Sequence, residues 1–428
     1  MNPPPTAGAP LGARARVAYG VLGFPLAAAA LPLYVHLPKF YAEHLGMPLT
    51  TLGILLLALR LADGIVDPAL GAWSDRASSR KRLIGVAMPL LAVGMVALFT
   101  PAVTRDAALI AWLCAALTVV YAAFSVATIN HNAWGAELST DPAERTRITA
   151  VRESFALAGV VLASIAPGWL GGAGGDAAGL PRFAVVFAVT ALVIAAWTLA
   201  QAPSGVRART DDASLRASLA LPLGDSLFRR LLAAFMVNGI ASAIPATLVL
   251  FFVADVLQAE REQGMFLAIY FVAGAAGMPL WVRLSERVGK AAAWRTAMAV
   301  AIAAFAGAAF LGPHDTTAFA AICVASGLAL GADLALPPSL LADVIGRQGT
   351  MQATGAYFGV WTLATKLNLA LAAGLALPLL DALGYAPGAR DAGDVRALAL
   401  VYALLPCLLK VAALVALSRF SVRLHSAR

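Results

Sequence analysis

The chain has 428 residues, of which 61% are hydrophobic and 13% are charged. A soluble domain has roughly 45–50% apolar and about 25% charged residues, so these proportions exclude an ordinary water-soluble fold and require lipid around most of the chain. The net charge is +8, but the basic residues form short clusters between apolar runs and no patch interleaved with aromatics. Nucleic acid is therefore not predicted as a partner.

Apolar runs follow one another along almost the whole chain. A membrane-spanning helix needs about twenty largely apolar residues. Residues 1–14 are rich in Pro, Gly and Ala and predict a disordered cytoplasmic arm. Twelve spanning helices are predicted after it, near 17–38, 49–73, 83–101, 106–130, 150–171, 183–202, 228–254, 264–284, 292–311, 316–341, 354–378 and 396–417.

A polar segment at 203–226 separates the sixth predicted span from the seventh. We therefore expect two six-helix bundles, residues 15–202 and 227–420, joined by a cytoplasmic linker and followed by a cytoplasmic tail at 421–428. The prediction is an all-α membrane protein of twelve transmembrane helices in two halves. Repeated halves are a common plan of secondary transporters, whose substrate site lies near mid-membrane at the interface of the repeats.

Lysine and arginine are concentrated in alternate connections between the predicted spans, such as the segment from Arg76 to Arg82. Cytoplasmic loops carry an excess of these residues, so the charge pattern places both termini and the linker in the cytoplasm. The expected location is a bacterial-type inner membrane, crossed many times. The sequence contains no P-loop, nucleophile–base pair or metal-ligand pattern, so neither an enzyme nor a cofactor is predicted. No obligate protein partner is evident.

The second predicted span carries Arg60, Asp63 and Asp67 on one helical face. A charge at bilayer depth costs about 3 kcal/mol or more, so it normally faces a cavity or a partner and marks function. Two carboxylates one turn apart repel each other unless a cation or proton neutralises one of them. The pattern favours a site that binds and releases H⁺ or Na⁺, with Arg60 placed to pair with Asp63. A structural salt-bridge cluster near the cytoplasmic end of the helix is the alternative.

Lys366 is a fourth charge inside an apolar run. A buried lysine needs an acidic partner, for which Asp63 and Asp67 are the best candidates; a lysine that reaches an interface is the alternative.

The fourth predicted span ends in a run of polar residues. Ser125, Thr128 and Asn132 share one face. His131 could carry a proton, because an imidazole titrates near neutral pH, or it could be a hydrogen-bonded packing residue. Tyr357 and Trp361 in the eleventh span are candidates for stacking on a solute, with packing or an interfacial position as the alternative.

Four stretches together resemble one family: LPLYVHLPKFYAEHLGM, RLADGIVDPALGAWSDR, NAWGAELSTDPAERTRITAVRESFALAG and LPPSLLADVIGRQGTMQATGAYFGVWTLATKLNLALAAGLALPLLDALGY. The chain resembles the glycoside–pentoside–hexuronide:cation symporters, the melibiose-carrier group of the major facilitator superfamily. This resemblance implies a major facilitator superfamily fold and a secondary active transporter that couples H⁺ or Na⁺ to a small solute, such as a sugar, glycoside or uronide. A proton-coupled exporter of drugs or metabolites and a lysolipid transporter of the same fold are the alternatives.

The resemblance also implies roles for individual residues. Asp63 and Asp67 match the family's cation-binding carboxylates, and Ser125 matches a hydroxyl of that site. Lys366 matches a lysine beside it. Arg152 matches an arginine of the family's substrate cavity. The expected substrate cavity combines Arg152 with the polar and aromatic residues above, and comprises Thr128, His131, Asn132, Arg152, Tyr357 and Trp361.

The chain departs from the family at several sugar-contacting positions. Ala27, or a neighbouring alanine, and Thr128 stand where the family has carboxylates. Asn132 and Leu334 stand where aromatic residues are expected, and Val66 replaces an asparagine between the two cation carboxylates. These departures argue against a galactoside as the solute and favour H⁺ over Na⁺ as the coupling ion.

Overall fold

The computed structural model describes residues 11–426 other than 48, 78, 104–105, 173–174, 206–214, 260–261 and 386–391. Within these residues the chain is helical and contains no strand, which confirms the predicted all-α class. The α-helices are α1 (Ala13–Gly20), α2 (Gly23–Leu31), α3 (Leu37–Lys39), α4 (Leu49–Arg76), α5 (Arg80–Phe99), α6 (Asp106–Glu137), α7 (Pro142–Gly171), α8 (Gly175–Gln201), α9 (Leu215–Gly224), α10 (Ser226–Phe251), α11 (Gln263–Val288), α12 (Lys290–Ala308), α13 (Thr316–Arg347), α14 (Thr354–Ala382) and α15 (Ala392–Ser426).

Nine helices in the described part of the chain are long and apolar enough to cross a membrane. They coincide with the third to tenth predicted spans and with the twelfth. The first, second and eleventh predicted spans fall on the helical run that begins with α1, on α4 and on α14 respectively. The count of twelve spans remains a prediction.

The first predicted span is not one continuous α-helix. The run that begins with α1 and α2 continues through π-helical segments at Pro32–His36 and Phe40–His44, with the short α3 between them. Pro32 and Pro38 lack the backbone N–H that an α-helix requires, so the hydrogen-bond ladder changes register around them.

Several helix ends follow from single residues. The Asp141 carboxylate accepts a hydrogen bond from the N–H of Ala143 at 3.0 Å and so caps α7. Asp225 caps α10 in the same way, through the N–H groups of Leu227 and Phe228. Gly289 both ends α11 and precedes α12, with φ at +87°, a conformation that favours glycine.

The chain divides into two compact units. Unit 1 comprises Met1–Leu221 and Ile345–Leu363, and unit 2 comprises Pro222–Val344 and Ala364–Arg428. In unit 1, α5 packs against α6 and α8, α7 packs against α2 and α8, and α4 packs against α6. In unit 2, α15 packs against α10 and α12, and its Tyr402 ring stacks on Phe252 with 4.2 Å between centroids.

The predicted N-terminal arm, linker and C-terminal tail are partly helical in the structure. Residues 1–10 of the predicted arm lie outside the described residues, and α1 begins at Ala13. Residues 206–214 of the predicted linker also lie outside them, and the linker continues as α9. The last helix, α15, extends to Ser426 through most of the predicted tail.

Candidate functional site

The centre of the candidate site is a contact between α4 and α6 in unit 1. The Ser125 hydroxyl on α6 donates a hydrogen bond to Asp63 Oδ1 on α4 at 3.0 Å. Ser125 is buried and Asp63 is half-buried. A carboxylate and a hydroxyl that stand 62 residues apart in the chain are thereby brought together inside a helix bundle, and both offer oxygen atoms.

Asp67 lies one helical turn beyond Asp63 and is fully buried. Its backbone is covered by the first part of α14, since a Cβ added at Gly359 would lie only 2.6 Å from the Asp67 carbonyl oxygen. A second close approach follows one turn later, where a Cβ at Gly71 would overlap the Gly355 carbonyl. Two glycines on α14 therefore allow α4 and α14 to touch through their backbones beside the acidic pair.

The start of α14 is held by a charged network at the end of α4. The Asp75 carboxylate accepts hydrogen bonds from the N–H groups of Gly355 at 2.6 Å and Ala356 at 2.9 Å. A negative charge is favoured at this place because the first N–H groups of a helix point out of its N-terminus. The Arg80 guanidinium in turn donates to Asp75 at 2.6 Å and to Glu137 at 2.9 Å. The sequence analysis assigned no role to Asp75 or Glu137.

Another polar hydroxyl lies on α6 close to Ser125. The Thr128 Oγ1 atom, one turn further along, is buried and has no hydrogen-bond partner among the described residues. Asn132, one turn beyond Thr128, is half-buried. Buried hydroxyls are normally satisfied, so Thr128 stays a candidate for contact with a ligand.

His131 and Arg152 belong to a cluster around Tyr19. The Tyr19 hydroxyl donates to the His131 carbonyl oxygen at 2.8 Å, and the His131 Nε2 atom lies 3.0 Å from the Tyr19 carbonyl oxygen. The two rings are 4.4 Å apart between centroids. These contacts favour the packing role that the sequence left open for His131. Arg152 is buried and donates to Glu153 at 2.9 Å.

The remaining predicted residues lie on α4 and α14. Tyr357 and Trp361 are buried in the part of α14 that belongs to unit 1. Arg60 is half-buried on α4, and Lys366 is half-buried in the part of α14 that belongs to unit 2. The pairings of Arg60 with Asp63, and of Lys366 with the acids of α4, remain predictions.

Unit 2 contains a charged cluster that the sequence analysis missed. The Lys410 ammonium on α15 lies 3.1 Å from Asp333 Oδ2 on α13. Asp333 Oδ1 accepts hydrogen bonds from Asn238 at 2.9 Å and from the Trp294 indole at 2.7 Å. Asp333 and Lys410 are charged residues inside the tenth and twelfth apolar runs, so the same criterion that selected Asp63 and Lys366 would have found them.

The arrangement of helices is that of a membrane transporter of the major facilitator superfamily, as predicted. The fucose:proton symporter FucP of Escherichia coli has a TM-score of 0.72 and 15% identity, and the match covers 95% of this chain and 98% of that one. A bacterial homologue of the iron transporter ferroportin has a TM-score of 0.71 and 18% identity, with 96% and 100% covered. At these identities the likeness concerns the fold alone.

The family follows from the sequence itself. The profile of the MFS/sugar transport protein family matches residues 17–423, and the chain belongs to this family. It is 28% identical over 131 residues to the inner membrane symporter YicJ of Escherichia coli strain K12, covering 29% of this chain and 28% of the relative. It is 31% identical over 166 residues to the uncharacterized symporter sll1374 of Synechocystis sp., covering 35% and 29%. Each match thus spans less than a third of the relative's length. The predicted resemblance to sugar:cation symporters is confirmed.

Proposed function

We propose that this protein is a secondary active symporter, which couples the entry of H⁺ or Na⁺ to that of a sugar, glycoside or uronide by alternating access. Its place is the inner membrane, with both termini in the cytoplasm. The observation that carries the proposal is the Asp63–Ser125 hydrogen bond next to the fully buried Asp67. The family and the names of both relatives, which are symporters, support it.

The cation step uses the oxygens that α4 and α6 bring together. The carboxylates of Asp63 and Asp67 supply negative charge, and the hydroxyls of Ser125 and Thr128 supply neutral oxygen ligands. Hard cations prefer such ligands, and a proton can be held by either carboxylate. Binding of one positive charge removes the repulsion between the two acids and lowers the cost of enclosing them in a medium of low dielectric constant.

The backbone contacts of α4 give this charge change a mechanical consequence. Gly359 and Gly355 let α14 lie directly against Asp67 and Gly71, and Asp75 holds the first turn of α14. A movement of α4 upon cation release is therefore passed to α14 without flexible side chains between them.

Solute recognition is assigned to side chains of the same unit. Thr128 and Asn132 offer hydrogen bonds to hydroxyl groups, and the buried rings of Tyr357 and Trp361 offer apolar faces for a sugar ring. Arg152 is the cation of this set and would favour an acidic sugar. Small-solute sites combine an apolar lining with a few such polar groups.

The test is uptake into inverted and right-side-out membrane vesicles that contain the protein. A panel of sugars, glycosides, uronides and lysophospholipids is offered while a Na⁺ gradient and a pH gradient are imposed separately. We expect a sugar-like solute to accumulate in the vesicles when either Na⁺ or H⁺ enters them down its imposed gradient. Movement of the solute in the direction opposite to that of the cation would indicate an exporter. Movement of lysophospholipid alone would indicate a lipid transporter. Either result would refute the proposed symport.

A further inference from the structure

The ammonium of Lys410 is surrounded by oxygen atoms inside unit 2. Its Nζ atom lies 2.9 Å from Asn238 Oδ1, 2.9 Å from Ser242 Oγ and 3.1 Å from Asp333 Oδ2. Lys410 is only 2% exposed, and the three oxygens belong to α10 and α13, whereas Lys410 belongs to α15. The ammonium thus fills a polar cage built by other helices.

The cage has the composition of a cation site. It combines one carboxylate, one amide carbonyl and one hydroxyl, which are the ligand types that hard cations prefer. Distances near 3 Å suit an ammonium or a monovalent ion of similar size, whereas Mg²⁺ and Ca²⁺ require oxygens at about 2.0–2.6 Å. The ligand class is therefore a small monovalent cation.

The cage is held in shape by contacts that do not involve Lys410. Asp333 Oδ1 accepts from the Asn238 amide at 2.9 Å and from the fully buried Trp294 indole at 2.7 Å. The Ser242 hydroxyl donates to Asp333 Oδ2 at 3.2 Å. These three donors orient the carboxylate, so its oxygens would still converge if the ammonium were removed.

We propose that Asp333, Asn238 and Ser242 form a monovalent-cation site which the chain fills with its own side chain, the ammonium of Lys410. The acid of unit 2 is then neutralised permanently by a tethered cation. In the proposed function, the acids of α4 are the ones that bind and release an external cation. This site is separate from the one on which the proposed function rests.

The test removes the tethered cation and offers free ones. Lys410→Ala and the wild type are purified and their melting temperatures are measured at equal ionic strength in choline, K⁺ and methylammonium chloride. We expect Lys410→Ala to melt lower than the wild type in choline. Methylammonium or K⁺ at about 100-fold excess over the dissociation constant should then raise its melting temperature by about 5 °C more than choline does. The wild type contains the same α4 acids and should show no such additional gain.

Two variants serve as controls. Lys290→Ala removes the ammonium of another ion pair of unit 2, in which Lys290 lies 2.6 Å from Asp343 Oδ2; it should gain no more from methylammonium than the wild type. Lys410→Ala combined with Asp333→Asn removes the carboxylate of the cage and should lose the selective gain. A selective gain that persists without the carboxylate would overturn the proposal.

The recovery of folded Lys410→Ala is a further test of the proposed cation site. If Lys410→Ala cannot be recovered as folded protein in methylammonium, K⁺ or choline, no free cation replaces the tethered one and the proposal is refuted. Equal melting temperatures in the three salts would refute it as well. Lys410→Met with Asp333→Asn keeps the volume of the stem and leaves no buried charge, so it should fold without preference among the salts. If K⁺ or methylammonium raised the melting temperature of this variant more than that of the wild type, the cation would bind at another place and the proposal would be refuted.

Discussion

Each of the two units contains a carboxylate inside an apolar helix, and the contacts that the structure shows for the two carboxylates differ. In unit 1, Asp63 accepts a hydrogen bond from the neutral hydroxyl of Ser125. In unit 2, Asp333 is joined by the ammonium of Lys410 and by hydrogen bonds from Asn238 and Trp294. An ammonium that pairs with a carboxylate makes the pair neutral overall, whereas a hydroxyl adds no charge to its partner. In the proposed function the acids of α4 exchange a cation, whereas Asp333 keeps the ammonium of Lys410.

The largest effect is expected when an acid of the proposed cation site is removed. Asp67→Asn should abolish accumulation of solute against its gradient, because one negative charge no longer has to be neutralised in each cycle, while downhill exchange should persist. Vesicle uptake with and without an imposed cation gradient measures both. Asp315→Asn, which changes an exposed aspartate before α13, is the control and should transport as the wild type does. Full accumulation by Asp67→Asn would contradict the assignment.

The structural acid should respond through stability. Lys410→Met leaves the Asp333 carboxylate buried without its ammonium, and removal of one partner of a buried ion pair costs about 3–5 kcal/mol. The unfolding free energy in detergent measures this loss. Adding Asp333→Asn removes the uncompensated charge and should restore much of the stability. If the double variant is no more stable than Lys410→Met, the ion pair is not the source of the effect.

The contact between α4 and α14 should be sensitive to a single methyl group. Gly359→Ala places a Cβ 2.6 Å from the Asp67 carbonyl oxygen, and relief of such crowding costs about 1–3 kcal/mol. We expect a lower rate of transport, measured as initial uptake, and a lower melting temperature. Gly264→Ala on α11, where the added Cβ meets nothing within 4 Å, is the matched control. Equal effects of the two substitutions would show that the close approach has no importance.

An effect of similar size, confined to the affinity for the cation, is expected at the hydroxyl of the proposed cation site. Ser125→Ala removes a hydrogen bond to a charged group, worth about 1.5–3 kcal/mol. The cation concentration for half-maximal uptake should change by about tenfold or more, with the maximal rate less affected. Ser125→Thr keeps a hydroxyl and should stay near the wild-type value. A loss that Thr does not rescue would indicate a packing role.

The spans of α5–α8 and α10–α13 could be predicted to within several residues because apolar length is a local property of the sequence. Other features were not predictable in this way. The break of the first helical run and the helix α9 in the linker depend on backbone details that hydropathy does not report. Asp333 and Lys410 could have been selected as charges inside apolar runs, as Lys366 was, but they are 77 residues apart, and no local pattern shows that they pair.

The sequence by itself therefore determined that lipid surrounds this chain, where most of its helices run, and that two acids share one face of α4. Only the tertiary structure decided that the Asp333 carboxylate receives the ammonium of Lys410. The physical reason is that such contacts depend on the rotation and the longitudinal register of each helix against its neighbours. Both follow from the packing of many side chains at once, and no segment of the sequence carries that information alone.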